Sequence, residues 1–237
     1  MPSQKQKPVA IFDIDGTIFR NSLLIELHWK MVKNGIIPRS TIARLDKQYW
    51  NWVQRKESYD DYLVEVIESF DEFVDGLPTQ TLQRLARQVV KVQSSIVYRY
   101  TRALVEKLRK THLLVAISGS PQLVVGEFAR AWKFDYCIGT QHKVRDGKFI
   151  GKQSWVASKN KREALRRLEE LHGFTLGRGS VGVGDTESDI AILKLVDIPI
   201  CFNPTAELYK VAAKKGWISV VERKNAIYKM KNGRVIK

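Results

Sequence analysis

Two carboxylates two residues apart close an apolar run near the start of the chain. In "VAIFDIDGTIF", Asp13 and Asp15 flank Ile14, and Gly16 and Thr17 follow at once. A carboxylate can serve as a nucleophile or as a general acid and base. A pair placed close together could divide those tasks. Taken alone, the D-x-D-G pattern also suits a turn or a helix N-cap. Two further apolar runs end in residues able to do chemistry, "SGS" at 118–120 and "GDTESD" at 184–189.

These segments meet only if the fold brings them together. The run opening at Val9 is short and β-rich, as a strand buried on both faces would be. "HLLVAISGS", "FDYCIGT", "SVGVGD", "DIPICFN" and "WISVVE" read as further strands, and "KVRDGKFIG" as a hairpin around Asp146-Gly147. Helical patterns such as "KREALRRLEELHG" lie between them. Strands alternating with helices predict an α/β fold, a Rossmann-like parallel sheet with helices on both faces. In such a sheet the carboxyl ends of the strands share one edge, where ligands bind. From Asn21 the period changes. "SLLIELHWKMVKNG", the stretch after Pro38, "SYDDYLVEVIESFDEFVDG" and "PTQTLQRLARQVVKVQSS" give four helices and no strand. The expected organisation is an α/β core from 1–20 and 96–237, with an all-helical cap inserted at 21–95.

Three strand-end motifs in this order resemble the haloacid dehalogenase superfamily of phosphohydrolases, and the likeness covers nearly the whole chain. "DIDGTIF" looks like its first motif, "ISGSP" its second, a lysine of "SKNKREAL" its third and "VGVGDTESDI" its fourth. The insertion lies where the helical-cap members carry their cap. "CFNPTAELYKVAAKKGW" is similar to the end of phosphoserine-phosphatase-like members.

The resemblance implies a role for each residue. Asp13 is the nucleophile, attacking phosphorus to form an aspartyl-phosphate. Asp15 protonates the leaving oxygen and then takes a proton from water. Like charges this close repel unless a cation lies between them and the phosphate. That cation is Mg²⁺, held by the Asp13 carboxylate, the Asp15 main-chain carbonyl and Asp185. Asp189 holds a metal-bound water or the lysine. Ser118 and Gly119 bind phosphate, beside a helix N-terminus after Pro121. The lysine is Lys161, with Lys159 an open alternative two residues away. Thr17 is read as structural or a minor loop contact. Members acting on phosphoserine carry a Glu nine residues after the nucleophile, to meet the substrate's ammonium. Here that position is Ser22, and Glu26, four residues later, is the possible substitute. The expectation is a phosphatase for a different or looser set of small phosphomonoesters, not one dedicated to phosphoserine.

Composition leaves room for a second class of function. The 237 residues carry a net charge of +15 and are 44% hydrophobic, enough for a packed core. Residues 21–95 hold ten bases and ten acids, so the excess lies later. The last 33 residues, from Thr205, carry nine bases against two acids. Such a surface is either a solvated face or a site for a polyanion. The readings are therefore a phosphatase, a phosphotransferase of the same superfamily, or a basic nucleic-acid-binding protein. No nucleic-acid motif accompanies the bases, so no sequence-specific nucleic acid is expected. The polar start and the lack of any long apolar run predict a cytoplasmic protein without membrane spans. Cys137 and Cys201 read as small buried hydrophobes, His28 and His142 as surface or interface histidines. "YWNWV" reads as packing within the helices, with an aromatic cage for a quaternary ammonium as the alternative.

Overall fold

A computed structural model describes residues 7–236. The chain opens with β1 (Val9–Phe12), then runs through α1 (Leu23–Lys33), α2 (Ile42–Val53), α3 (Tyr59–Val74), α4 (Thr79–Gln93) and α5 (Arg99–Leu108). β2 (Leu113–Pro121), α6 (Gln122–Ala131), β3 (Tyr136–Arg145), β4 (Lys148–Trp155) and α7 (Lys161–His172) follow. The last third holds β5 (Val181–Gly184), α8 (Ile190–Leu193), β6 (Ile198–Phe202), α9 (Ala206–Lys215), β7 (Ile218–Arg223), β8 (Ala226–Lys231) and β9 (Arg234–Ile236).

The nine strands form one sheet in the order β4-β3-β2-β1-β5-β6-β7-β8-β9. The six from β3 to β7 are parallel, and the outer pairings are antiparallel. The α/β fold expected from alternation is the one observed. Residues alternate across β1 as a two-sided strand requires. Ala10 and Phe12 pack with Leu24, Val105 and Phe128, whereas Val9 and Ile11 pack with Leu165, Leu168 and Ile192 on the other face. The connections from β1 to β2 and on to β3 run to one side of β1, and β5, β6 and β7 lie to the other. β1 therefore sits where the strand order reverses, the crevice that open α/β sheets use for ligands.

Helices α1 to α4 occupy the stretch where the sequence pattern predicts four. α3 starts in a capping box between Ser58 and Asp61 and buries one stripe, Tyr62, Val66, Phe70 and Val74. α1 has no such cap. Ser22 precedes it without a side-chain bond to the helix, and the first amides are satisfied from other segments. Leu23 N–H donates to Asp15 Oδ1 at 2.6 Å and Leu24 N–H to Ser120 Oγ at 2.9 Å. The first helix after β1 is thus anchored on the strand-end motifs.

The hairpin turns at Asp146 and Gly147, whose φ angles of 50° and 72° are those a two-residue type I′ turn requires. Its tip leans on the junction of α3 and α4. Gly76 N–H donates to Phe149 O at 2.9 Å, Phe149 N–H to Leu77 O at 3.0 Å and Thr79 N–H to Gly147 O at 2.9 Å. The β3–β4 register shifts on both sides of His142, where the hairpin bends toward those helices. The pattern reading ended its strands at "WISVVE", and the structure adds β8 and β9. Asn232 and Gly233, with φ of 50° and 72°, make the last turn, an Asn-Gly signal of the same kind as Asp146-Gly147.

Candidate active site

The end of β1 is locked to β5 by Asp13 N–H donating to Val183 O at 2.9 Å. The chain then turns through Gly16 at φ +77°. A Cβ there would lie 2.2 Å from Asp185 Oδ2, so only glycine lets the first and fourth motifs touch. Thr17 Oγ1 donates to Asp185 Oδ1 at 3.0 Å, which makes Thr17 the buried support of that carboxylate. Asp189 accepts the N–H groups of Asp185 and Thr186 on Oδ2, at 3.2 and 3.1 Å. Its other oxygen is left for the lysine.

Lys161 opens α7 and is 3% exposed. Its ammonium donates to Asp13 Oδ1 at 2.6 Å and to Asp189 Oδ1 at 2.5 Å. Lys159 is exposed and has no bond to either acid. The structure therefore brings Lys161, not Lys159, to the carboxylates. Burial alone would lower the Lys161 pKa, but the charges of Asp13 and Asp189 outweigh it and the net shift is upward.

Asp15 is held by three donors. Ser118 Oγ and Ser120 Oγ donate to its Oδ2 at 2.6 and 2.8 Å, and Leu23 N–H donates to Oδ1. Ser118 Oγ in turn accepts Ser120 N–H at 3.0 Å. The Ser118 hydroxyl, expected on phosphate, is thus spent on Asp15 in this arrangement. Ser120 shares that task, and its role was missed although it stands in the same "SGS". The β2–β3 ladder breaks between Ile117 and Pro121, which frees these residues from pairing. Gly119 sits in the break, and a Cβ there would lie 3.0 Å from Ser158 Oγ.

Three acids at this edge have raised pKa values. Burial pushes Asp13 up to about 7 against the pull of Lys161, with Asp189 and Asp15 adding to the rise. Burial raises Asp185 well above the carboxylate range, and the charges of Asp13 and Asp189 add to it. Burial also raises Asp15 despite its hydrogen bonds. Four carboxylates share one ammonium, so the edge is short of positive charge. Asp13 Oδ2 and Asp185 Oδ2 accept no hydrogen bond among the described residues. That donor set fits a divalent cation. No three acidic, histidine or cysteine side chains among the described residues form a ready cage. Mg²⁺ needs none, since it takes one or two carboxylates and completes its shell with water and substrate oxygens.

Above these groups lies a cavity of about 610 Å³, lined by Asp13, Asp15, Gly119, Lys161 and Asp185 together with side chains of α2, α3 and the hairpin. Ser22 lines it, although it has no charge to offer. Glu26 does not. Its two oxygens accept from Asn21 Nδ2 at 2.7 Å and Gln93 Nε2 at 2.8 Å, which fixes it between α1 and α4. Glu26 as a stand-in for the missing carboxylate is therefore corrected: its helix turns it away from the cavity. Both histidines are corrected too. His28 is fully buried under α3, and His142 lines the cavity with its side chain 6% exposed. Within "YWNWV", Trp52 lines the cavity and also stacks with Tyr62, while Trp50 is exposed. Arg20, Tyr59, Asp71 and Gln153 complete a wall that sequence reasoning missed. They come from separate elements, and no local spacing links them.

The sequence model of the haloacid dehalogenase-like hydrolases matches residues 10–194. A probable phosphatase of Mycobacterium tuberculosis strain H37Rv is 24% identical over 243 residues, spanning 91% of this chain and 80% of its own length. A histidinol-phosphatase of Neisseria meningitidis serogroup C is 22% identical, over 89% of this chain and 97% of its own. Among solved structures, a protein of unknown function from Bordetella pertussis Tohama I superposes with a TM-score of 0.68 at 19% identity, covering 91% of this chain and 98% of its own. A phosphoserine phosphatase carrying a phospho-aspartyl intermediate analogue gives 0.56 at 18% identity, covering 87% and 91%. At such identities the structures establish the fold alone, while the family match spans most of the sequence: this chain belongs to the haloacid dehalogenase-like hydrolase family.

Proposed function

We propose that the protein is a Mg²⁺-dependent phosphomonoester phosphatase that works through an aspartyl-phosphate on Asp13. The observation that carries this reading is the buried Asp13–Lys161–Asp189 chain, with Asp15 beside it at the mouth of a cavity. Asp13 attacks phosphorus while Lys161, bonded to its carboxylate, holds it in place. The phosphorus–oxygen bond to the leaving alcohol breaks as Asp15 delivers a proton to that oxygen. Water then attacks the phosphorus of the acyl phosphate, Asp15 takes its proton, and Asp13 is regenerated with release of inorganic phosphate. Asp13, Asp185 and the Asp15 carbonyl would hold Mg²⁺, which supplies charge for the phosphoryl oxygens. Residues 21–95 act as a cap, and the hairpin tip hydrogen-bonded to the α3–α4 junction belongs with it in function. The substrate is a small phosphorylated molecule, and Ser22 argues against a dedicated phosphoserine phosphatase. An uncharged side chain there offers nothing to the ammonium of so short a substrate.

The test is turnover of a generic aryl phosphate with Mg²⁺. Asp13→Asn is expected to abolish it in a folded protein, because amide and carboxylate have similar volumes. Chelation is expected to silence the wild type and Mg²⁺ to restore it. Undiminished turnover in folded Asp13→Asn defeats the mechanism.

A further inference from the structure

The cavity has a second polar cluster that this chemistry does not use. Asp71 on α3 and His142 on β3 have side chains 5% and 6% exposed, and both line the cavity that holds Asp13 and Lys161. His142 Nε2 donates to Asp71 Oδ1 at 3.2 Å, and Gln153 Nε2 on β4 donates to Oδ2 at 3.2 Å. The imidazole is fixed edge-on between Phe70 and Phe149, with ring centroids 5.7 and 6.0 Å away.

A carboxylate removed from water is costly unless it is paired. Asp71 has no lysine or arginine partner among the described residues. Its one ion-pair partner is His142, charged only when protonated. Glu127, another acid of low exposure, shows the usual structural solution. It lies between Arg87 and Arg130, at 3.1 and 2.5 Å, and lines no part of this cavity. Asp71 instead faces a ligand-sized space with two oxygens that each accept one bond, where a carboxylate offers about four acceptor positions. The remaining walls include Tyr59, Leu63 and Ile67, which suit a carbon skeleton. At about 610 Å³ the space falls among ordinary small-molecule sites.

We propose that Asp71, oriented by His142 and Gln153, is the specificity residue for the leaving group. The substrate is the phosphate monoester of an alcohol with an apolar body and an ammonium-type cation at its far end. This inference rests on the phosphatase reading. Asp71 thus supplies, from α3, the charge absent at Ser22.

The experiment compares matched pairs: aminoalkyl phosphates of graded chain length and para-(aminomethyl)benzyl phosphate, each against its uncharged methyl-capped isostere. The wild type is expected to favour at least one amine over its isostere tenfold or more in kcat/KM. Asp71→Asn is expected to bring that ratio close to one, with the loss carried by KM of the amine. His142→Gln is expected to reduce the ratio by a smaller factor, since Gln153 still holds the carboxylate. Equal efficiencies for every pair in the wild type overturn the proposal, and so does an unchanged ratio in Asp71→Asn. Should Asp71→Asn not fold, competitive inhibition of the wild type by the free amino alcohol and its isostere decides. Stronger inhibition by the amine supports the subsite, and equal inhibition overturns it. A wild type that hydrolyses no phosphomonoester defeats the underlying phosphatase reading instead, and this one with it.

Discussion

Lys161 sits within 2.6 Å of Asp13 and 2.5 Å of Asp189, and 3% of it is exposed. Removing one partner of a buried ion pair leaves an uncompensated charge, at a typical cost of roughly 3–5 kcal/mol. Lys161→Met is therefore expected to lower unfolding stability by that order and to remove turnover, while Lys159→Met leaves both unchanged. Denaturant titration and an aryl phosphate assay check it, and the opposite ranking of the two lysines refutes the assignment. Asp15 gives a second test at this scale. Asp15→Asn is expected to slow hydrolysis of an alkyl phosphate far more than that of an aryl phosphate, whose leaving group departs without a proton. Equal losses on both substrates would show that Asp15 is not the acid. Asp13, Asp15, Asp185 and Asp189 were legible because each stands in a short motif at the end of a strand. Between Lys159 and Lys161 the sequence left the choice open, because only the start of α7 fixes which ammonium points inward. Ser120 stands in the same motif as Ser118, but nothing in the sequence marks it as a second donor to Asp15. Asp71, His142 and Gln153 carried no signal at all, since three elements far apart in sequence assemble them.

Among the elements, α1 links the acidic sheet edge to α3 and α4. Its N-terminal amides end on Asp15 and Ser120, and its His28 reaches α3 through Nε2 and Ser69 Oγ at 2.9 Å. The His28 Nδ1 has no hydrogen-bond partner among the described residues. Burial lowers the His28 pKa from 6.5 to about 4. The unfolded chain therefore binds a proton at this residue before the folded one does. The stability that follows from the neutral, buried ring is whole above pH 6.5 and is lost as pH falls from there toward 4. At 1.36 kcal/mol per unit, the loss approaches about 3 kcal/mol at the lower end. Urea unfolding of wild type and His28→Gln between these pH values is the measurement, because the other acids cancel in the difference. The wild type is expected to lose stability relative to the variant as pH falls, and a constant difference refutes the reading. The four helices were legible from period, from Ser58 and Pro78 at their starts, and from Asn34-Gly35 and Gly76 at their ends. Burial of His28 was not, because one imidazole on an apolar stripe carries the same pattern whether it faces α3 or solvent. The docking of the hairpin on the α3–α4 junction was equally hidden. Asp146-Gly147 specifies the turn but nothing about what the tip touches.

Over the whole molecule, the sheet order puts β1 at the reversal point, so the acidic edge is central, while about half of the basic excess lies in the last 33 residues at one end of the sheet. The parallel core was legible from apolar runs alternating with helical periods. β8 and β9 were not read, because β8 is half-exposed and β9 fully exposed, and their lysines and arginines blur the apolar pattern that marked the others. With them, α9 and the β7–β9 edge carry Lys210, Lys214, Lys215, Arg223, Lys224, Lys229, Lys231 and Arg234. A positive surface of this kind attracts any polyanion through counterion release, and that attraction carries no sequence information. Sequence readout needs side chains aimed at base edges from an element seated in a groove. No helix-turn-helix, zinc-finger or similar motif appears in the sequence. Whatever nucleic acid the basic edge holds is thus expected to be held by phosphates alone. For about five phosphate contacts, a slope near −0.9 per contact weakens binding by roughly 500-fold between about 50 and 200 mM salt. Fluorescence anisotropy with two duplexes of unrelated sequence, across that salt range, makes the test. The two are expected to bind equally and to be released together as salt rises. Submicromolar binding of one duplex over the other at physiological salt would assign this edge a nucleic-acid function after all.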